Sequence, residues 1–275
     1  SLRCSVDLIN AQRDTMFGQK APSPSRDALQ DMEYLMKQGR YHIGIATDGD
    51  SDRIGLYVVF FKQKTAYDIL KLLYYYLKQY RGEKGGLVRN ITTTHILDRI
   101  AQSFGEPAFE VPVGFKYISQ KMDDENLLLG GESSGGLKIR GHVNGKDGIL
   151  AALLAVEMLA KTKKSLSALL EEINAKYGTL YFGELNLGYR REDRTRLEQV
   201  LLADRHIPAF PREIFKTSYI DGVKFYFADD NWFSIRFSGT EPVLRLSWET
   251  TTKEQAEELL RVIREDSVLK LPLKS

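Results

Sequence analysis

The sequence predicts an α/β protein in which two α/β units precede a C-terminal α+β domain with an antiparallel sheet. Three observations predict it. Apolar runs of strand length alternate with longer apolar or amphipathic stretches through the first two thirds of the chain. Glycine-containing polar loops follow several of those runs. Beyond residue 177 four strand-like segments occur with only two helical stretches among them. The 275 residues exceed a single domain of about 150 residues. A change of pattern at about residue 177 sets residues 178–275 apart from what precedes them.

Residues 26–37 read as a helix, 41–47 as a buried strand ending in an acidic turn, and 54–61 as a second strand. Residues 65–80 carry Ile69, Leu70, Leu72, Leu73, Tyr76 and Leu77 on most faces, the pattern of a well-buried helix, which Arg81-Gly82 closes. A β-branched strand at 87–93, a helix at 96–104, a short strand at 109–113 and another at 127–129 follow. Asp147 is placed to cap an apolar helix running to residue 160. This alternation argues for parallel pairing. The last part reads as strands at 180–187, 223–228, 232–237 and 243–249, with helices at 194–203 and 252–264. Thr252 stands three residues before Gln255, a capping-box spacing, and Ala256, Leu259, Leu260 and Ile263 share one face.

Composition narrows the function. The 39 basic and 37 acidic side chains nearly cancel, so no overall field recruits nucleic acid or anionic lipid, and any anion site must be local. Cys4, the single cysteine, excludes an intrachain disulfide and a zinc-cysteine cluster. The most apolar stretches, at 54–61 and 149–160, fall short of the ~20 residues of a membrane span. A cytoplasmic protein is the default expectation, and nothing in the sequence specifies an oligomeric state.

Three loops carry chemistry. In Asp48-Gly49-Asp50-Ser51-Asp52-Arg53 three carboxylates alternate after an apolar strand, so an extended loop would converge them on one cation. All-oxygen ligation by few carboxylates suits magnesium (Mg2+). An EF-hand is excluded, because Arg53 and Val59 stand where it needs Gly and Glu. A haloacid-dehalogenase-like phosphatase and a merely solvated acidic turn are the alternatives. Leu129-Gly130-Gly131-Glu132-Ser133-Ser134-Gly135-Gly136 places a carboxylate and hydroxyls among glycines that let a ligand approach the backbone, which suits a sugar; a flexible connector is the alternative. In Arg236-Phe237-Ser238-Gly239-Thr240-Glu241-Pro242-Val243-Leu244-Arg245, hydroxyls, backbone N–H groups and two arginines suit a phosphate, against the alternative of a solvated hairpin.

Taken in order, the acidic loop, Val113-Gly114-Phe115-Lys116, the glycine loop and the C-terminal loop resemble the signature loops of the α-D-phosphohexomutase superfamily of phosphoglucomutases and phosphomannomutases. The resemblance runs from Asp14 to the last helix, with residues 59–66 and the tail after Glu265 unlike the family. It implies part of domain 2 (residues 1–58) and domain 3 (59–177) as mixed or parallel α/β layers, then a C-terminal domain (178–275), in an enzyme that moves phosphate between C1 and C6 of a hexose through a bisphosphate. Asp48, Asp50 and Asp52 would hold Mg2+, and Arg53 and Lys116 would stand at the reacting phosphate. Glu132, Ser133 and Ser134 would bind the sugar. Arg236, Ser238, Gly239, Thr240 and Arg245 would grip the non-reacting phosphate. Hexose 1,6-bisphosphate would serve as activator, and sugar phosphates as substrates.

The departures shape the expectation further. Gly136 stands where the mannomutase and glucosamine branches carry histidine, which favours a glucomutase-like identity, and His142 is a candidate substitute proton carrier if it is not structural. The family's phosphoserine lies in a Ser-His-Asn setting, but His42, His95, His142 and His206 follow Tyr, Thr, Gly and Arg. The nucleophile is therefore expected before Ser1, and the chain alone is expected to be inactive as a mutase. A non-catalytic sugar-phosphate-binding module and a magnesium phosphatase are the other function classes.

Overall fold

The computed structural model describes residues 4–25, 27–58 and 62–270. Three sheets follow one another along the chain. The first is wholly antiparallel, β1 (Ile43–Thr47) pairing with β2 (Ile54–Val58), and β2 with β3 (Lys62–Lys64). The expected parallel pairing is therefore not found here, because the short acidic loop joins β1 directly to β2 and leaves no crossover helix. Helix α1 (Gln30–Lys37) packs on this sheet. Arg26 and residues 59–61 of the expected helix and strand lie outside the described residues.

Helix α2 (Ala66–Gln79) opens with a capping box between Thr65 and Asp68 and is buried on nearly every face. It leads into a sheet in which β4 (Leu87–Asn90) pairs in parallel with β5 (Ala108–Val111) on one side and β6 (Leu129–Gly131) on the other. Helices α3 (Ile96–Ser103) and α4 (Phe115–Asp124) form the crossovers, and the edge strand β7 (Leu137–Ile139) returns antiparallel to β6. Helix α4 was not legible in the hydropathy pattern, since only Ile118 and Met122 are buried. The strand expected at 127–129 lies two residues later and contains Gly130 and Gly131. Helices α5 (Gly148–Thr162) and α6 (Leu166–Tyr177) are capped by Asp147 and Ser165. One apolar cluster joins Ile54, Leu56 and Val58 of β2 to α2, α3, α5 and α6.

The third sheet is antiparallel with the order β8 (Tyr181–Gly188), β12 (Val243–Thr250), β11 (Trp232–Phe237), β10 (Val223–Tyr226), β9 (Lys216–Ser218). The expected helix at 194–203 divides into α7 (Arg194–Glu198) and a π-helical stretch, Gln199–Ala203. Helix α8 (Lys253–Glu265) carries the Thr252/Gln255 capping box and lays Ala256, Leu259 and Ile263 inward. Among the described residues no helix is long and apolar enough to cross a membrane.

Candidate functional site

The acidic loop joins β1 to β2 as a turn rather than an extended segment. Ser51 N–H donates to the Asp48 carbonyl at 3.2 Å, and Ser51 adopts φ 60°. The turn brings one carboxylate oxygen each of Asp48, Asp50 and Asp52 within 4.8 Å of one another, with Asp48 buried and Asp50 exposed. Asp48 accepts from the Arg53 N–H at 3.0 Å and pairs with the Arg53 guanidinium. Burial works against its charge, but these bonds hold the carboxyl below its usual range. Three oxygen donors around one point, one face open to solvent, fit a hard divalent cation that keeps several waters.

The glycine loop lies against this turn. Arg53 and Gly136 form an isolated antiparallel bridge, and Gly148, the first residue of α5, donates its N–H to the Ser51 carbonyl at 2.9 Å. Gly135 turns the loop at φ 95°. Two of the loop's glycines serve packing: a Cβ on Gly130 would come within 2.5 Å of Ile118 and Met122, and one on Gly131 within 2.3 Å of Leu70, whereas one on Gly135 would meet nothing closer than 3.4 Å. Glu132 is buried, and that burial pushes its carboxyl up, opposed by the Lys146 charge, the Ser134 hydroxyl and the Gly114 N–H. Ser134 is exposed beside it at 3.4 Å, whereas the Ser133 hydroxyl is engaged by Thr92 at 3.0 Å and Asn90 at 3.5 Å. The glycine loop and Asn90 stand at the carboxyl ends of the parallel strands β6 and β4, where open α/β sheets bind ligands.

Lys146 was not singled out in the sequence, where it is one of 39 basic side chains. It pairs with Asp52, and a Cβ on Gly136 would meet its Cδ at 2.4 Å, so the glycine leaves the room the lysine occupies. His142 bonds through Nε2 to Asp147 Oδ2 at 2.6 Å, and the other oxygen of Asp147 caps α5 at Ile149 and Leu150. Lys116 lies exposed in the first turn of α4, its ammonium 4.8 Å from the Tyr117 ring centre.

The C-terminal loop joins β11 to β12. Ser238 N–H donates to the Val243 carbonyl at 3.0 Å, and the Ser238 hydroxyl accepts from the N–H groups of Thr240 and Glu241 at 3.4 Å each. Gly239 and Thr240 are exposed at the tip. Arg236 and Arg245 face each other in register, an arrangement that is unfavourable unless a counter-charge joins it. One is Asp221, which accepts from Arg236 Nε at 2.9 Å and pairs with Nη2 at 2.9 Å. Nothing in the sequence marked Asp221 beyond an Asp-Gly turn.

The phosphoglucomutase/phosphomannomutase family models match consecutively: the alpha/beta/alpha domain II at residues 1–59, the alpha/beta/alpha domain III at 65–177 and the C-terminal domain at 156–266. A phosphoglucomutase/phosphomannomutase of Thermococcus kodakarensis is 28% identical over 95% of this chain and 55% of its own. Phosphoglucomutase 1 of Drosophila melanogaster is 32% identical over 82% of this chain and 40% of its own. The chain spans about half the length of these relatives. Among solved structures, a phosphoglucomutase/phosphomannomutase family protein of Burkholderia thailandensis shares the fold at a TM-score of 0.72 and 23% identity, over 88% of this chain and 51% of that one. An N-acetylphosphoglucosamine mutase of Aspergillus fumigatus, in complex with GlcNAc-6P and magnesium, shares it at 0.56 and 16%, over 86% of this chain and 57% of that one. With three successive domain models covering it nearly end to end, the chain belongs to the phosphoglucomutase/phosphomannomutase family.

Proposed function

We propose that these residues form the metal, sugar and phosphate sites of a phosphohexomutase that interconverts hexose 1-phosphate and hexose 6-phosphate through a phosphoserine enzyme and a hexose 1,6-bisphosphate. The single observation that carries this reading is the bridge between Arg53 and Gly136, which sets the aspartate cluster against the glycine loop. In this reading residues 1–58 supply the metal loop, 59–177 the sugar loop and 178–275 the phosphate loop. The phosphoryl-carrying serine lies outside these 275 residues.

Asp48, Asp50 and Asp52 would hold Mg2+, which when bound supplies positive charge to phosphate oxygens. Arg53 fixes Asp48 and presents its remaining N–H groups beside the cluster. Glu132 accepts from a sugar hydroxyl, and Ser134 bonds next to it. Ser133 acts from behind through Thr92 and Asn90. Lys116, free to leave the Tyr117 ring, reaches the reacting end. His142 steadies Asp147 at the start of α5, beside the metal loop. Ser238, Gly239 and Thr240 ring the distal phosphate while Arg236 and Arg245 neutralise it. Such transfer depends chiefly on positioning and electrostatics.

Calorimetric titration of the chain tests this. Glucose 6-phosphate is expected to bind in the presence of Mg2+ and glucose not to, with Asp48→Asn removing the metal dependence. A folded chain that binds no hexose phosphate would sink the reading.

A further inference from the structure

Two consecutive backbone N–H groups diverge at the end of β5. Val113 donates to Asp221 Oδ2 at 2.8 Å, while the Gly114 N–H faces Glu132 and helps to stabilise its charge. The oxygen of Asp221 that takes the Val113 proton also accepts from Arg236 Nε and pairs with Nη2, each at 2.9 Å. The carboxylate thus joins the lysine-bearing segment of the α/β unit to the first arginine of the phosphate loop, and the next amide lies toward the glycine loop. Asp221 has little freedom to do otherwise: Gly222 holds φ 76°, and a Cβ there would come within 2.3 Å of the Ile235 carbonyl, so the turn lies flat against the strand that carries Arg236. Gly114, at φ 132°, starts α4 without a side-chain cap, so the placement of Lys116 depends on the Val113 bond just before it.

We propose that Asp221 is a positioning residue that sets the distance between the phosphate loop and the sugar-binding and lysine segments, so that one sugar phosphate spans both. This rests on the assignment of those loops under the proposed function. An anion held by the C-terminal loop alone does not need the link. Removing Asp221 leaves Arg236 and Arg245 facing each other with no carboxylate between them, which favours a free anion. The same removal releases Val113 and lets Lys116 and Glu132 drift from register with the loop.

The experiment has two parts. In the first, affinities of inorganic phosphate and glucose 6-phosphate are measured on the full chain with Asp221, Asp221→Ala and Asp221→Asn. The alanine variant is expected to weaken glucose 6-phosphate about tenfold while leaving phosphate unchanged or tighter; the asparagine variant, which keeps an acceptor for Val113, falls between. Equal weakening of both ligands, or of neither, overturns the proposal. The second part needs no ligand: amide exchange of residues 112–118 is compared in Arg236→Gln, Asp221→Ala and the double variant. Arg236→Gln is expected to speed exchange when Asp221 is present and to add nothing once it is gone. Additive effects overturn the link even if sugar phosphate binds. A chain that binds neither ligand refutes the proposed function instead, and the exchange cycle still decides whether Asp221 couples the two segments.

Discussion

Gly130 and Gly131 are neighbours in β6, yet one faces Ile118 and Met122 of α4 and the other faces Leu70 of α2. A strand turns successive Cβ atoms to opposite faces, so two glycines in a row let a helix approach closely on each side. Gly131→Ala is expected to lower the free energy of unfolding by about 1–3 kcal/mol, the cost of overpacking a filled core. A denaturant midpoint unchanged by the substitution would show that Leu70 has room to withdraw. At the same scale the motif Gly-Gly-Glu-Ser-Ser-Gly-Gly divides its labour: buried glycines for packing, Glu132 buried beside the exposed Ser134, and Ser133 turned to Thr92. The sequence named these residues but not their directions, because direction depends on which strand the loop leaves.

Helix α5 binds the acidic loop through its first turn. Asp147 caps Ile149 and Leu150, and burial, which works against its charge, is outweighed by those N–H bonds and by His142, so its carboxyl titrates below the usual range. Gly148 meanwhile donates to Ser51, and a Cβ on it would come within 2.7 Å of the Arg53 carbonyl. Asp147→Ala is expected to cost about 1 kcal/mol as a lost helix cap and to weaken Mg2+ binding severalfold. Asp147→Ser restores the cap and the metal affinity together. Thermal melting and a Mg2+ titration of the two variants check this; affinity unchanged in the alanine variant would separate the helix start from the metal loop.

Across the whole molecule, the α/β unit meets the C-terminal sheet through buried charges. Lys224, fully buried, donates to the Ile91 carbonyl at 2.7 Å, His95 Nε2 at 3.0 Å and Glu110 Oε2 at 2.7 Å, while Arg89 pairs with Glu110 and Asp98. Tyr226 donates to Glu110, and Glu249 accepts from the His95 N–H and from Trp232. Removing one partner of such a set leaves an uncompensated buried charge. Burial, then the charges of Arg89 and Lys224, push the His95 imidazole down to about 4. In the unfolded chain it titrates near ~6.5, so between these values the unfolded state holds a proton that the folded state refuses, and stability falls as pH falls. The carboxyls of Glu110 and Asp98 lie below this window: burial would raise them, but bonds to His95 and Arg89 outweigh it. Between pH 6.5 and 4.5 this proton is expected to lower the unfolding free energy from urea titration by at most about 1.4 kcal/mol per pH unit. His95→Gln is expected to flatten that slope, and an equally steep slope in the variant would place the proton elsewhere.

The sequence by itself determined most of the segments that hold elements and marked three loops as candidates for chemistry. Hydrophobic period, capping residues such as Thr65, Asp147 and Thr252, and the alternation of carboxylates in the acidic loop are local properties, readable within a few residues. The tertiary structure decided what meets what. The room Gly136 leaves for Lys146 beside Asp52 and the junction of Val113, Asp221 and Arg236 depend on contacts between residues far apart in the chain. Helix α4 stayed hidden for a related reason: only Ile118 and Met122 are buried, and they find their place because β6 offers glycines beneath them. A pattern of polarity records burial but not the partner, and it is the partner that turns an aspartate in a turn into a link between two loops.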